Sequence, residues 1–337
     1  MKVLFTDYKF KDIELEAALF REAGIELVTA QCRNADDVIA ASAGCQGLLV
    51  QYAPVNASVF AARPDIAIAS RVGVGVDTIN VADASAAGVW VANSPDYGVG
   101  EVATHALAMV LTLLRHIAFY DRDVRNGTWH YTSAGRMRRV SDMTLGILGL
   151  GRIGKRMAYV SRNCFRRVIA CDPYIIDGDF PAYVERVDLT HLFRDADAIS
   201  LHVPLNDETS GMVNSSVLKI MKPTSVLVNT ARGGVVNIDD LCLALEANRL
   251  DGVALDVLPV EPPNRDHPLF NDPRVLLTPH AAFYSVESER ELRRKAAQNL
   301  IDWANHKRPR YVVAEGSKWP NAKNNQIMGQ AHGIGPD

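Results

Sequence analysis

Residues 144 to 172 read without interruption as a strand, a glycine-rich turn, a helix and a second strand that ends in an acid. No other stretch restricts the fold so tightly, because each residue type in it answers a separate mechanical need. Gly149 permits the tight turn off the strand, Gly151 lets a pyrophosphate approach the backbone, and Gly154 lets the helix pack closely on the sheet. Arg152 and Ile153, between the last two glycines, fall along the pyrophosphate, opposite the free N–H groups of the helix start. Asp172 follows 18 residues after Gly154, where a carboxylate accepts hydrogen bonds from both hydroxyls of an adenosine ribose. A 2′-phosphate would meet its negative charge, so the pattern predicts NAD in preference to NADP.

At 337 residues the chain suits about two domains. Its 48% apolar and 22% charged content is that of an ordinary soluble globular protein, and a net charge of −3 gives no reason to expect a nucleic-acid or membrane partner. The five cysteines are scattered, with no Cys-x-x-Cys pair, and read as reduced thiols of a cytoplasmic protein. The N-terminus meets a charge too early for a signal peptide. The most apolar helix candidate is interrupted by His105, Arg115 and His116, which argues against a membrane span.

Short apolar runs alternate with amphipathic stretches, the pattern of parallel sheets with crossover helices. Strands are expected near 3–6, 25–29, 47–50, 68–70 and 89–92, with helices over 12–22, 35–41 and 58–61 between them. One long helix is expected from 100 to 126, then a polar, basic stretch over 133–139. Later strands fall at 145–148, 168–171, 198–202, 226–229, 252–256 and 275–278, and a last helix at 286–306. Because the fingerprint begins near mid-chain, a complete α/β unit precedes it. The expected fold is two Rossmann-like or flavodoxin-like lobes with parallel sheets and an active-site cleft between them. Residues 1–99 with 286–337 form the substrate-binding lobe and 100–285 the NAD-binding lobe. The tail from Glu315 lacks apolar periodicity and reads as mobile or as an extension covering a lobe.

Three strand ends each supply a polar residue that proton-coupled hydride transfer needs: Arg232 in Asn-Thr-Ala-Arg-Gly-Gly, Glu261 in Asp-Val-Leu-Pro-Val-Glu, and His280 in Thr-Pro-His-Ala-Ala. Together with the fingerprint, Asp172-Pro-Tyr, His202-Val-Pro-Leu-Asn and Ala254-Leu-Asp-Val, these follow one another in the order of a known family. The chain resembles the D-isomer-specific 2-hydroxyacid dehydrogenases over about residues 1–312. In the stretch from Thr278 to Ser285 it is similar to the C-terminal-binding-protein branch, whose members also act as corepressors.

The resemblance implies an NAD-dependent interconversion of a small 2-keto acid and a D-2-hydroxy acid. Arg232 would hold the substrate carboxylate as a charged planar fork, His280 would be the acid/base, and Glu261 would fix its ring. Asp256 would contact the nicotinamide carboxamide, with Thr230 and Ala231 nearby and Arg232 and His280 also facing the cofactor. Val203 and Pro204 would lie against the adenine. Val74 and Gly75, within Val72-Gly-Val-Gly, would receive the carboxylate by their backbone, and Tyr52 and Phe283 would wall the pocket.

The family usually carries a Thr where this chain has Ala106, so Thr104 is the candidate to supply that hydroxyl. Corepressor-type members carry a Trp where Phe283 stands. Formate-oxidising relatives carry an amide where this chain keeps Glu261, which favours a proton-transferring enzyme. His202 is read as structural or as a neighbour of the cofactor. His105, His116, His130, His191, His267, His306 and His332 are read as surface or packing residues. A homodimer is expected, since the helix from Val102 packs between subunits in this family. The alternatives are a 3-phosphoglycerate dehydrogenase and an NAD(H)-sensing, corepressor-like binding module.

Overall fold

The computed structural model describes residues 1–318. In chain order the elements are β1 (Lys2–Phe5), α1 (Glu14–Glu22), β2 (Glu26–Thr29), α2 (Ala35–Ala41), β3 (Gly47–Val50), α3 (Ala57–Ala62), β4 (Ile68–Arg71), α4 (Val81–Ala86), β5 (Trp90–Ala92), α5 (Val99–Leu114) and α6 (Ile117–Arg125). They continue with β6 (Thr144–Leu148), α7 (Arg152–Ser161), β7 (Arg167–Cys171), β8 (Glu185–Arg186), α8 (Leu189–Asp195), β9 (Ala198–Leu201), α9 (Ser215–Leu218), β10 (Val226–Asn229), α10 (Ile238–Glu246), β11 (Gly252–Leu255), β12 (Val275–Leu277), α11 (Val286–His306) and β13 (Val312–Ala314). The chain divides into two compact units. Among the described residues, one comprises Met1–Tyr97 and residues 286–318, the other Gly98–Ser285.

The first unit is a six-stranded sheet in the order β13-β5-β4-β3-β1-β2, parallel except for β13, which runs antiparallel to β5. The second is a seven-stranded, wholly parallel sheet in the order β12-β11-β10-β9-β6-β7-β8. Its first strand, β6, lies inside the sheet, with β7 on one side and β9 on the other. The strand order therefore reverses between β6 and β9, and in such sheets ligands bind beyond the carboxyl ends of the strands at that reversal.

Burial explains the uninterrupted apolar runs. Every residue of β6, β9, β10 and β11 is buried, as expected for parallel strands covered on both faces. Two apolar clusters cover that sheet, one built on Phe193, Leu227 and Leu241, the other on Met109, Ile147 and Met157. Helix starts are set locally. Asn34, Asn56, Asn80, Asp188, Asn214 and Asn237 cap α2, α3, α4, α8, α9 and α10, each side chain accepting from a backbone N–H of the first turn.

One expectation needs correction, and the alternatives for the start of the tail are narrowed to the extension that covers a lobe. The single helix over 100–126 is two helices, bent by 59° at His116, which adopts a left-handed φ of 49° and breaks the hydrogen-bond ladder. The Asp251 carboxylate lies 3.7 Å from the His116 ring, so the residue at the break has a partner from another element. The start of the tail is also tied down. The backbone N–H groups of Ser317 and Lys318 donate to the Gly88 carbonyl, and Lys318 Nζ donates to the carbonyls of Pro64 and Ile66. The rest of that tail lies outside the described residues.

Candidate active site

The fingerprint turn is shaped by steric exclusion. Gly149 has φ +87°, and a Cβ there would lie 2.7 Å from the His202 carbonyl oxygen at the end of β9. A Cβ on Gly154 would lie 2.0 Å from the Gly149 carbonyl oxygen, so α7 can start at this angle only with glycine at that position. Gly151 differs, because a Cβ there would meet nothing within 4 Å. Packing does not require its glycine, whereas a ligand's close approach would. Asp172 braces the turn from β7, its Oδ2 accepting from Leu150 N at 2.7 Å and its Oδ1 from Tyr174 N at 2.9 Å. Arg152 and Ile153 open α7, which has no side-chain cap.

Beside this turn, Val203 packs partly on the core while Pro204 is exposed, its carbonyl accepting from Thr209 Oγ1 at 2.6 Å. His202 shares a hydrogen bond of 2.9 Å with Ser200 Oγ. Burial pushes its pKa down to about 4, so the ring is neutral and unsuited to acid/base work near pH 7.

The polar residues expected at the strand ends converge at the same edge of the sheet. After β10, the buried Asn229 side chain accepts from Ala231 N at 3.0 Å and donates to the Arg232 carbonyl at 2.9 Å, folding Thr230, Ala231 and Arg232 into a tight turn. Arg232 Nη1 donates to the Ala231 carbonyl at 2.9 Å. A Cβ on the next residue, Gly233, would lie 2.0 Å from the Leu258 carbonyl carbon, so the arginine turn is pressed against the loop that carries Glu261. Glu261 Oε1 accepts from Leu258 N at 3.0 Å, and its Oε2 lies 2.7 Å from His280 Nδ1. Burial raises the Glu261 pKa. The His280 hydrogen bond, the Leu258 N–H and the nearby Arg232 charge outweigh that and hold the carboxyl below its usual range.

His280 sits after β12 at φ +54°, a left-handed conformation that costs a non-glycine residue roughly 1–2 kcal/mol unless its surroundings hold it. Asp256, 3% exposed at the end of β11, supplies that hold. Its backbone carbonyl accepts from His280 N at 2.8 Å, and its carboxylate accepts from Ala281 N at 2.8 Å, Ala282 N at 3.0 Å and the Thr278 hydroxyl. The ring of Phe283 stands edge-on to His280, with centroids 6.4 Å apart.

In the first unit, Tyr52, Val74 and Gly75 lie beyond the carboxyl ends of β3 and β4. Asp7 orders the loop after β3, its carboxylate accepting from the backbone N–H groups of Gln51, Tyr52 and Ala53. Asn93 Nδ2 donates to the Val74 carbonyl at 2.6 Å. Tyr52 and Val74 are both 42% exposed. Lys9 Nζ lies 4.6 Å from the centroid of the Tyr52 ring and the Arg71 guanidinium 5.8 Å.

A sequence model of the D-isomer specific 2-hydroxyacid dehydrogenase, NAD binding domain, matches residues 107–282, more than half of the chain. The chain belongs to the D-isomer specific 2-hydroxyacid dehydrogenase family. Glyoxylate reductase of Korarchaeum cryptofilum is 38% identical to this dehydrogenase over 253 residues, covering 74% of this chain and 76% of that protein. D-3-phosphoglycerate dehydrogenase of Mycobacterium tuberculosis is 36% identical over 256 residues, covering 75% of this chain and 48% of that protein, so this chain spans about half the length of that relative. Among solved structures, the NAD-dependent formate dehydrogenase of Staphylococcus aureus in complex with NAD aligns with a TM-score of 0.84 at 26% identity, covering 94% of this chain and 100% of that one. Family membership makes the protein an oxidoreductase with NAD as its cofactor.

The residues of this dehydrogenase fit that cofactor. Space is open over Gly151, the start of α7 is uncapped, and Asp172 stands beside the turn. Thr230 Oγ1 is enclosed and has no hydrogen-bond partner among the described residues, as expected of a hydroxyl whose partner is a ligand. Thr104, at an exposed position, shares its single hydroxyl proton between the carbonyls of Gly100 and Glu101 in its own helix, at 2.8 and 3.0 Å, and Ala106 is buried in the core. The neighbouring His105, read from the sequence as surface or packing, instead places Nε2 3.1 Å from Thr278 Oγ1 and 3.9 Å from Asp256 Oδ1. Its position three residues after Val102 and four before Met109, both buried, was the available signal: a polar ring on the core-facing stripe of α5.

Proposed function

We propose that this dehydrogenase interconverts a small 2-keto acid and the corresponding D-2-hydroxy acid, with Arg232 binding the substrate carboxylate and His280 moving the proton. The 2.7 Å pairing of His280 Nδ1 with Glu261, beside Arg232, carries the proposal. Glu261 accepts a hydrogen bond from Nδ1–H, which keeps that proton on the ring and leaves Nε2 as the nitrogen that exchanges a proton with substrate. Bound NADH supplies the hydride. In the reducing direction the Nε2 proton passes to the carbonyl oxygen, the carbonyl carbon becomes a carbinol, and the ring is left neutral. The reverse step returns the proton. Arg232, permanently charged, binds the carboxylate and draws electron density from the adjacent carbonyl.

A phosphorylated substrate is the second reading, favoured by Lys9 and Arg71 around the Tyr52 ring, which place two cations at one sheet edge. The test is NADH oxidation at 340 nm with glyoxylate, pyruvate, hydroxypyruvate, phenylpyruvate and 3-phosphohydroxypyruvate, NADH binding being measured separately. Turnover of at least one 2-keto acid is expected. A preference for the phosphorylated acid establishes the second reading, and silence across the series with NADH bound contradicts both.

A further inference from the structure

The hydrogen bonds around Asp256 have a direction that can be worked out atom by atom. Asp256 Oδ1 accepts from the Thr278 hydroxyl and from Ala281 N, and Oδ2 accepts from Ala282 N. A threonine hydroxyl has one proton. Since Thr278 gives its proton to the carboxylate, it can only accept from His105 Nε2, 3.1 Å away, so that nitrogen carries a proton. The result is a single donor chain from His105 through Thr278 to Asp256, and the carboxylate at its end holds the two amides that follow His280. Among the described residues, His105 is the only titratable side chain paired with that buried carboxylate, at 3.9 Å.

We propose that His105 is a positioning residue for the reaction: its Nε2–H orients the Thr278 hydroxyl, which fixes the Asp256 carboxylate and so the left-handed loop that presents His280. The role rests on the reading of His280 as acid/base. His105 itself touches Thr278 and reaches the reacting groups through two other residues. The device suits its place. The loop holds a non-glycine residue in a disfavoured conformation, and its two amides would relax toward solvent if Asp256 could rotate. A donor fixed on α5, a 16-residue helix packed along the sheet, removes that freedom. Because small displacements of a reacting group can cost about 100-fold in rate, a residue three hydrogen bonds away has kinetic leverage.

Two readouts test this, one of them independent of turnover. The first is amide hydrogen exchange of a peptide spanning residues 279–285 in the full chain without dinucleotide. The second is kcat and KM for whichever 2-keto acid the wild type reduces. His105→Leu keeps the packing volume and removes the donor, whereas His105→Gln puts an amide N–H near the position of Nε2. Thr278→Val breaks the middle of the chain, and Thr278→Ser keeps it. His105→Leu and Thr278→Val are expected to speed exchange in the peptide and to lower kcat about tenfold or more with KM changed less than about twofold. The Gln and Ser variants should behave as wild type, and the Leu/Val double variant should be no slower than the worse single one. Unchanged exchange in His105→Leu would overturn the proposal. So would a His105→Gln variant as impaired as the Leu variant, or losses that multiply in the double variant. A wild type inactive on every keto acid would count against the proposed function alone, because the exchange readout would still decide the role of His105.

Discussion

Asp197 and Asp256 are both 3% exposed and sit at opposite ends of one seven-stranded sheet, Asp197 just before β9 and Asp256 just after β11. Their partners differ in kind. Asp197 accepts from Arg138 Nη1 at 2.7 Å, Lys222 Nζ at 2.9 Å and the backbone N–H of Thr144 at 2.9 Å. Asp256 is paired with a hydroxyl and the amides of the loop after β12. The amino-end carboxylate is neutralised by cations and ties a connecting segment to the sheet. The carboxyl-end carboxylate spends its charge on the backbone of a loop and so sets where His280 points. The same residue type in a similar depth of burial thus secures the fold at one end and aims the chemistry at the other, in keeping with the rule that ligands bind at the carboxyl edge of an open parallel sheet.

If that division is right, substitutions at the two ends should separate activity from stability. The largest effect is expected from His280→Ala, which should lower kcat by about two to four orders of magnitude with NADH affinity retained, as read by steady-state rates and fluorescence titration. Asp256→Asn should lower kcat about 10- to 100-fold by releasing the loop, and the melting temperature should fall far less than activity does. Asp172→Ala should weaken NADH relative to NADPH by about tenfold, the value of a charge-assisted hydrogen bond, measured as the ratio of their Kd values.

The smallest effect on activity belongs to Asp197→Asn, which should leave kcat/KM within twofold while costing about 1–3 kcal/mol of stability. That loss should depend on pH with a definite sign. Burial raises the Asp197 pKa, but the Thr144 N–H, Lys222 and Arg138 more than reverse it and hold the carboxyl below its ordinary value. A depressed carboxyl stabilises the fold fully above its unfolded pKa of about 3.9, and the benefit is lost as pH falls through the folded value. Melting curves of wild type and Asp197→Asn should therefore be furthest apart near neutrality and converge in acid.

What could be read from the sequence follows the same physical line. Gly154 is legible because a side chain there would collide with the Gly149 carbonyl a few residues before it, a steric fact with a fixed spacing, and Gly149 because the turn off the strand needs its positive φ. The limits of β3, β10 and α11 are legible because apolar runs and periodicity end where burial ends. The break at His116 is not, since the α5–α6 segment keeps helix-forming residues through it and the left-handed residue faces Asp251, far along the chain. His105 is half legible: its place on the core-facing stripe of α5 marks a polar ring turned inward, but its partner Thr278 is 173 positions away and cannot be named until the strand end opposite it is known. The tie between the tail and Gly88 likewise depends on a sheet edge that no local pattern announces.

The most direct test of the central claim is to follow the hydride itself. The full chain is given NADH carrying deuterium at the transferred position, together with the 2-keto acid other than glyoxylate that it reduces fastest, and the product is analysed by mass spectrometry and chiral separation. The account predicts one deuterium bonded to C2 of a D-2-hydroxy acid, with the oxygen-bound proton drawn from solvent by way of His280. A product of the L configuration, or one without deuterium at C2, would contradict it.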